Sequence, residues 1–193
     1  MNIVIVDYGA GNIQSVLFAL ERLGLTAILS ADPEVIKAAD KVIFPGVGHA
    51  QTAMEKLKKS GIDLLLPNLK QAVLGICLGM QLMCEESEEG DTKGLGIFKG
   101  KVRAFNDTLK VPQIGWNTIS DLKGPLFKDI LEESYIYMVH SYYVPLCENT
   151  IGICQYGLTY SAALSRDNFY GTQFHPEKSS QVGNQILKNF LDL

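Results

Sequence analysis

The stretch AVLGICLGMQ, Ala72 to Gln81, sets a cysteine between two glycines where one sequence pattern gives way to another. AVLGI is a short apolar run of the kind that forms a strand covered on both faces. From Leu78 to Glu86 the pattern reads as a helix. The strand therefore ends at Ile76, the helix begins near Leu78, and Cys77 occupies the turn between them. A strand feeding a helix is the repeating unit of a parallel sheet.

The same unit recurs upstream. NIVIVDY is a second continuously apolar strand, and it reaches Asp7 too quickly to be a signal peptide. After Gly9 and Gly11, the residues Ile13, Val16, Leu17, Leu20 and Leu23 fall at helical spacing, and Gly24 stops the helix. TAILS is the next strand. Asp32–Pro33–Glu34 opens a helix with an N-cap, a proline at the first helical position and an acid near the positive helix end. KVIF is a further strand, closed by PGVG, and a helix through Ala53, Met54 and Leu57 follows. Beyond Phe98 the rhythm changes to a series of strands, IFKGKVRAF, VPQIGWNTI, YIYMVHSYYV, IGICQY, YSAALS and FYGTQF. They are interrupted by one helix near Pro125 to Leu131 and closed by an amphipathic helix through Val182, Ile186, Phe190 and Leu193. The expected fold is α/β: an open, mostly parallel twisted sheet with helices on both faces and an antiparallel addition. The 193 residues, 47% of them hydrophobic, make a single domain over 1–193.

Formal net charge is -4, with acids and bases mixed, so no nucleic-acid partner is expected. The runs Lys56–Lys58–Lys59 and Glu85–Glu86, Glu88–Glu89 read as solvated surface. No apolar stretch approaches the roughly 20 residues of a membrane span. The four cysteines and three histidines have no zinc-site spacing, so no metal is expected. Free thiols point to a reducing compartment, the cytoplasm.

G-x-C-x-G is the thiol counterpart of the nucleophile elbow. A helix N-terminus favours thiolate, Gly75 and Gly79 let neighbouring backbone pack close, and ligands of parallel sheets bind at the carboxyl ends of strands. Against this stands a small buried cysteine that merely fits. Core packing is the preferred reading of Cys84, seven residues on, and of Cys147 and Cys154. A thiolate nucleophile needs a base and the base an orienting acceptor. FYGTQFHPEKS offers both: His175 and Glu177 are two apart around Pro176, so in extended chain they project together. An oxyanion needs donors, expected from the N–H of Leu78 and from PGVG, Pro45 to Gly48, where glycines flank Val47.

PGVG, GICLGMQ, VHSYY and GTQFHPEKS, in that order, resemble the triad (class I) glutamine amidotransferases. DYGAGN, GLG–IFKGKV and PQIGWN resemble one subfamily, the glutaminase subunits of imidazole glycerol phosphate synthase in histidine biosynthesis. The resemblance spans Asp7 to Ser179. It implies Cys77 as nucleophile, His175 as general base and acid, Glu177 as orienting carboxylate, and Leu78 with the 46–48 loop (Gly46, Val47, Gly48) as oxyanion donors. Gln81 and the backbone of Gly46, Gly48, Ser141 and Tyr142 would hold L-glutamine, with no cofactor. The implied partner is a (β/α)8-barrel synthase subunit forming a heterodimer, faced by Tyr8, Asn12, Gln113, Trp116 and Lys178. His49–Ala50 depart from the subfamily, which often carries an aromatic residue there. A peptide flanked by glycines could rest with its N–H turned away, so the isolated subunit is expected to be nearly inactive.

Three other readings stay open. The same glutaminase could feed another ammonia acceptor, such as a sugar-amidating enzyme. The DYGAGN stretch, with Asp32 further on, could be a nucleotide-binding module, although Gln14 takes the place of its third glycine. A cysteine hydrolase of another kind, such as a peptidase, would use the same triad.

Overall fold

The computed structural model describes residues 1–9, 12–106 and 108–193; Ala10 and Gly11 of the DYGAGN stretch therefore lie outside the described residues. In chain order the first strands and helices are β1 (Ile3–Val6), α1 (Ile13–Arg22), β2 (Ala27–Ser30), α2 (Pro33–Lys37), β3 (Lys41–Gly46), α3 (Ala50–Ser60), α4 (Ile62–Leu65), β4 (Ala72–Cys77) and α5 (Leu78–Leu82). There follow β5 (Cys84–Ser87), β6 (Thr92–Lys93), β7 (Phe98–Ala104), β8 (Gln113–Ile119), β9 (Ser134–His140), β10 (Tyr142–Tyr143), β11 (Thr150–Tyr156), β12 (Leu158–Arg166), β13 (Phe169–Thr172) and α6 (Ser180–Leu191).

The central sheet runs β11-β12-β13-β4-β3-β1-β2. Its β13-β4-β3-β1-β2 part is parallel, and β11 and β12 extend it antiparallel. Side chains alternate across it, as the pleat requires. Val4, Val42, Phe44 and Val73 pack on one face with Ile36 of α2, Leu57 of α3 and Met80 of α5. Ile3, Ile5, Ile43, Leu74 and Ile76 pack on the other with Leu20 of α1 and Phe190 of α6. Helices therefore cover both faces, as expected. Asp32 caps α2 by accepting from the Glu34 N–H at 2.9 Å.

Two expectations are corrected. The helix from Leu78 stops at Leu82, and Cys84–Ser87 is a strand that pairs with β7 and β6. The Met83 carbonyl accepts from Ile97 and Phe98, so pairing with the β7 region captures the backbone that a continued helix would need. Cys84 thus shares no helical face with Cys77, though it is buried in the core. The helix near Pro125 is a single 3-10 turn, Pro125–Phe127; a left-handed residue, Asp129 at φ 61°, ends any continuation.

Three carboxyl ends meet at one place. In the parallel register Gly46 of β3 lies beside Cys77 of β4, and Thr172 of β13 beside Ile76. PGVG, the cysteine turn and the HPE segment therefore leave adjacent strands on the same edge of the sheet. This is where ligands of open parallel sheets bind.

Candidate active site

Cys77 ends β4 and caps α5 with φ 54° and ψ -110°. A non-glycine residue in that region costs about 1–3 kcal/mol and persists only when its surroundings over-determine it. Here they do. Gly46 pairs on one side, and the helix begins at once on the other. A Cβ on Gly79 would overlap the Phe44 carbonyl, and one on Gly75 would lie 2.9 Å from the Met80 amide nitrogen. The glycines are therefore a packing requirement of the sharp turn.

The Cys77 side chain opens into a cavity of about 520 Å³. His175, Leu78, Val47, Gly48, Gln81, Ser141 and Tyr142 share its walls, as do Asn12 and Lys178 at the rim. The Cys77 sulfur lies 3.7 Å from the Val139 carbonyl and accepts from Gln173 Nε2 at 3.7 Å. Gln81 Nε2 donates to the Tyr142 carbonyl at 3.0 Å and to Gln173 Oε1 at 2.9 Å. Both its protons are thereby used, so Gln81 can meet a ligand only as an acceptor.

His175 is buried, with Nδ1 2.7 Å from Glu177 Oε1. The distance suits a charge-assisted bond with Nδ1–H donating. Nε2 is buried and makes no hydrogen bond of good geometry. Burial pushes the imidazole pKa down, but the nearness of Cys77 and the bonded Glu177 carboxylate outweigh it and raise it to about 10. The residue is fixed from behind: its backbone N–H donates to the Tyr137 carbonyl at 3.0 Å, and Ser179 Oγ donates to its carbonyl at 2.7 Å. Arg22 reaches from α1 to the Glu177 carbonyl at 3.3 Å.

The interface expectations divide. Trp116 is 52% exposed and Lys178 is exposed, its Nζ 5.8 Å from the Tyr137 ring. Asn12 is half-buried. Tyr8 and Gln113 are corrected: both side chains are buried and cannot face a partner directly. Tyr8 donates to the Pro45 carbonyl at 3.1 Å, and Gln113 Oε1 accepts from Tyr160 at 2.9 Å.

Three groups at or behind the cavity wall escaped the sequence reading. Glu89 belongs to a run read as solvated, yet it lines the cavity and its Oε2 accepts from the Ala50 N–H at 2.8 Å. It caps α3, whose N-cap residue His49 makes no side-chain cap. His140 lines the wall, and Gln173 touches the cysteine sulfur. Only the neighbourhood of VHSYY and GTQFHPE hinted at the last two.

A strand-to-helix cysteine elbow on a parallel sheet, beside a His–Glu pair, defines a class of thiol-dependent enzyme domain. The family profile described as "Glutamine amidotransferase class-I" matches residues 4–193. Imidazole glycerol phosphate synthase subunit HisH of Bacteroides fragilis is 56% identical over 196 residues, covering all of both chains. The same subunit of Haemophilus influenzae is 47% identical, covering all of this chain and 98% of that protein. The chain belongs to the class-I glutamine amidotransferases and, within them, to the HisH subunit family of imidazole glycerol phosphate synthase. Solved structures agree on the fold. The crystal structure of a glutamine amidotransferase superposes with TM-score 0.77 at 18% identity, over 98% of this chain and 97% of that one. The structure of PurLQS from Thermotoga maritima gives 0.74 at 17% identity, over 99% and 97%.

Proposed function

We propose that residues 1–193 form one glutaminase domain that hydrolyses L-glutamine through a Cys77 thioester and passes the ammonia to a (β/α)8-barrel synthase subunit, working as a heterodimer in the cytoplasm. The observation that carries the chemistry is the shared cavity: the strained Cys77 turn opens into it beside His175, whose other ring nitrogen is held by buried Glu177 at 2.7 Å.

In this reading the Cys77 thiolate and protonated His175 form the resting pair. Sulfur attacks the side-chain amide carbon of glutamine, and the N–H groups of Leu78 and Val47 receive the oxyanion. His175 gives its proton to the departing nitrogen, which leaves as ammonia. It then takes a proton from water, and the resulting hydroxide cleaves the thioester to glutamate. Glu177 keeps the ring oriented throughout. Free glutamine is a zwitterion. Glu89 on the cavity wall offers a carboxylate to its ammonium group, and the Gly48 and Ser141–Tyr142 backbone of the same wall would take its carboxylate. Such a site favours the free amino acid over a peptide.

Val47 is 40% exposed and Gly48 sits at φ 95°, while Pro45 and Gly46 are buried. This step from buried to exposed backbone suits a turn whose N–H settles into place only on activation. The exposed face of β8 and β9, with Ile114, Trp116 and Tyr135, supplies an apolar surface for the partner. Trp116→Ala should weaken association about 10- to 100-fold, read by titration calorimetry; unchanged affinity would move the interface elsewhere.

The deciding experiment is glutamate release by the chain with its synthase subunit. Cys77→Ala should abolish it with the fold intact. Retained turnover would remove Cys77 from the mechanism.

A further inference from the structure

The buried tyrosine of the DYG stretch has no place in the proposed chemistry, yet it sits under it. Tyr8 follows β1, and its loop is pinned twice: the Gly9 N–H donates to Asp7 Oδ1 at 3.0 Å, and Lys56 Nζ donates to the Gly9 carbonyl at 2.6 Å. The ring packs on Phe44 with centroids 5.4 Å apart. Its hydroxyl donates to the Pro45 carbonyl at 3.1 Å. The same hydroxyl lies against Gly46, since a Cβ built there would be 2.9 Å from it. Burial, and then the charge of Cys77, push the phenol pKa well above its usual range. The hydroxyl thus keeps its proton and stays a donor across the working pH range.

The Pro45 carbonyl belongs to the last fixed peptide before the exposed Val47–Gly48 turn. On its other side Gly46 is in register with Cys77. Tyr8 therefore anchors the near end of the segment whose far end must present an N–H to the oxyanion. We propose that Tyr8 is a positioning residue for the oxyanion turn: its hydroxyl fixes the Pro45–Gly46 peptide so that rotation is confined to the Gly46–Val47 peptide beyond it. Without that bond a buried carbonyl loses its partner, and the donor loses its reference plane.

The proposal rests on the Cys77 reading, and the test separates the two. Tyr8→Phe keeps the ring and removes only the hydroxyl. In the chain assembled with its synthase subunit, kcat for glutamine should fall about five- to tenfold, the value of one net hydrogen bond, with KM within twofold. Alkylation of Cys77 by iodoacetamide passes through no oxyanion, so its rate should stay within twofold of wild type. A general loosening of the fold would instead move KM, the alkylation rate and the melting temperature together. Glutaminase kcat unchanged in Tyr8→Phe, or alkylation slowed as much as turnover, would overturn the proposal. Cys77→Ala, assayed alongside, reports on the nucleophile independently, so a null result at Tyr8 counts against Tyr8 alone.

Discussion

Two histidines line one cavity, both buried, and their surroundings drive them in opposite directions. His175 lies beside Cys77 and Glu177, and the two together lift its pKa to about 10 despite burial. His140 ends β9 among aromatic rings, 5.4 Å from Phe105 and 5.4 Å from Tyr160 between centroids. Burial is its dominant influence and lowers its pKa to about 4; its contact with the Tyr142 carbonyl opposes that, and the charge of His175 adds to it. With the ring neutral, Nδ1 donates to the Tyr142 carbonyl at 2.7 Å and Nε2 faces the Tyr160 hydroxyl at 3.2 Å. The lesson is that burial alone makes a histidine a neutral wall. A buried histidine keeps its proton where the fold sets a partner such as the Glu177 carboxylate against the ring.

The contrast is broken most directly by substitution. His175→Asn should lower glutaminase turnover by on the order of 10³-fold, because the departing nitrogen then receives no proton. His140→Gln should cost less than about fivefold. Equal losses at the two positions, measured as glutamate release, would make the division of roles wrong.

Glu177→Gln tests the source of the difference. It removes the charge that holds Nδ1–H, so turnover should fall on the order of 10²-fold or more. The His175 ring should then titrate lower than in the wild type, followed by NMR of the imidazole. An unmoved titration would mean that the carboxylate does not set the charge state.

The neutral ring leaves a mark on stability. His140 titrates near 4 in the fold and near 6.5 when unfolded, so the unfolded chain binds the extra proton first. Its contribution is fully present above about pH 6.5 and declines as pH falls toward 4. Urea midpoints should show that decline in wild type and a shallower one in His140→Gln. His175 has the opposite sign: its contribution is full below about 6.5 and is lost as pH rises toward 10. The smallest effect is expected from Tyr160→Phe, which removes the hydroxyl facing Nε2. It should change turnover less than twofold and stability by about 1 kcal/mol. A tenfold loss of turnover would show that the His140 wall enters the chemistry.

The triad candidates were legible because each depends on local pattern. A strand, a glycine-flanked cysteine and a helix form one continuous unit. His175 and Glu177 are two residues apart in extended chain, so their pairing needs no long-range information. Tyr8 was misplaced for the converse reason. A polar residue in a loop after a strand looks exposed, and only the packing of Phe44 and Pro45 over it shows its depth. Glu89 was hidden in an acidic run whose other members do lie at the surface; its task exists only because its turn meets the start of α3. The strand at Cys84–Ser87 was misread as helix because its partners, Phe98 to Val102, come from further along the chain.

The sequence by itself determined the parallel α/β core, the elbow cysteine and the local His–Glu pair, since apolar periodicity and close spacing act over a few residues. The tertiary structure alone decided which histidine is driven toward its charged form, which acid enters the cavity and what lies under the Val47–Gly48 turn. Those depend on burial and on distances between segments far apart in the chain, and a pKa or a buried hydrogen bond is set by whatever groups the fold brings within a few ångströms.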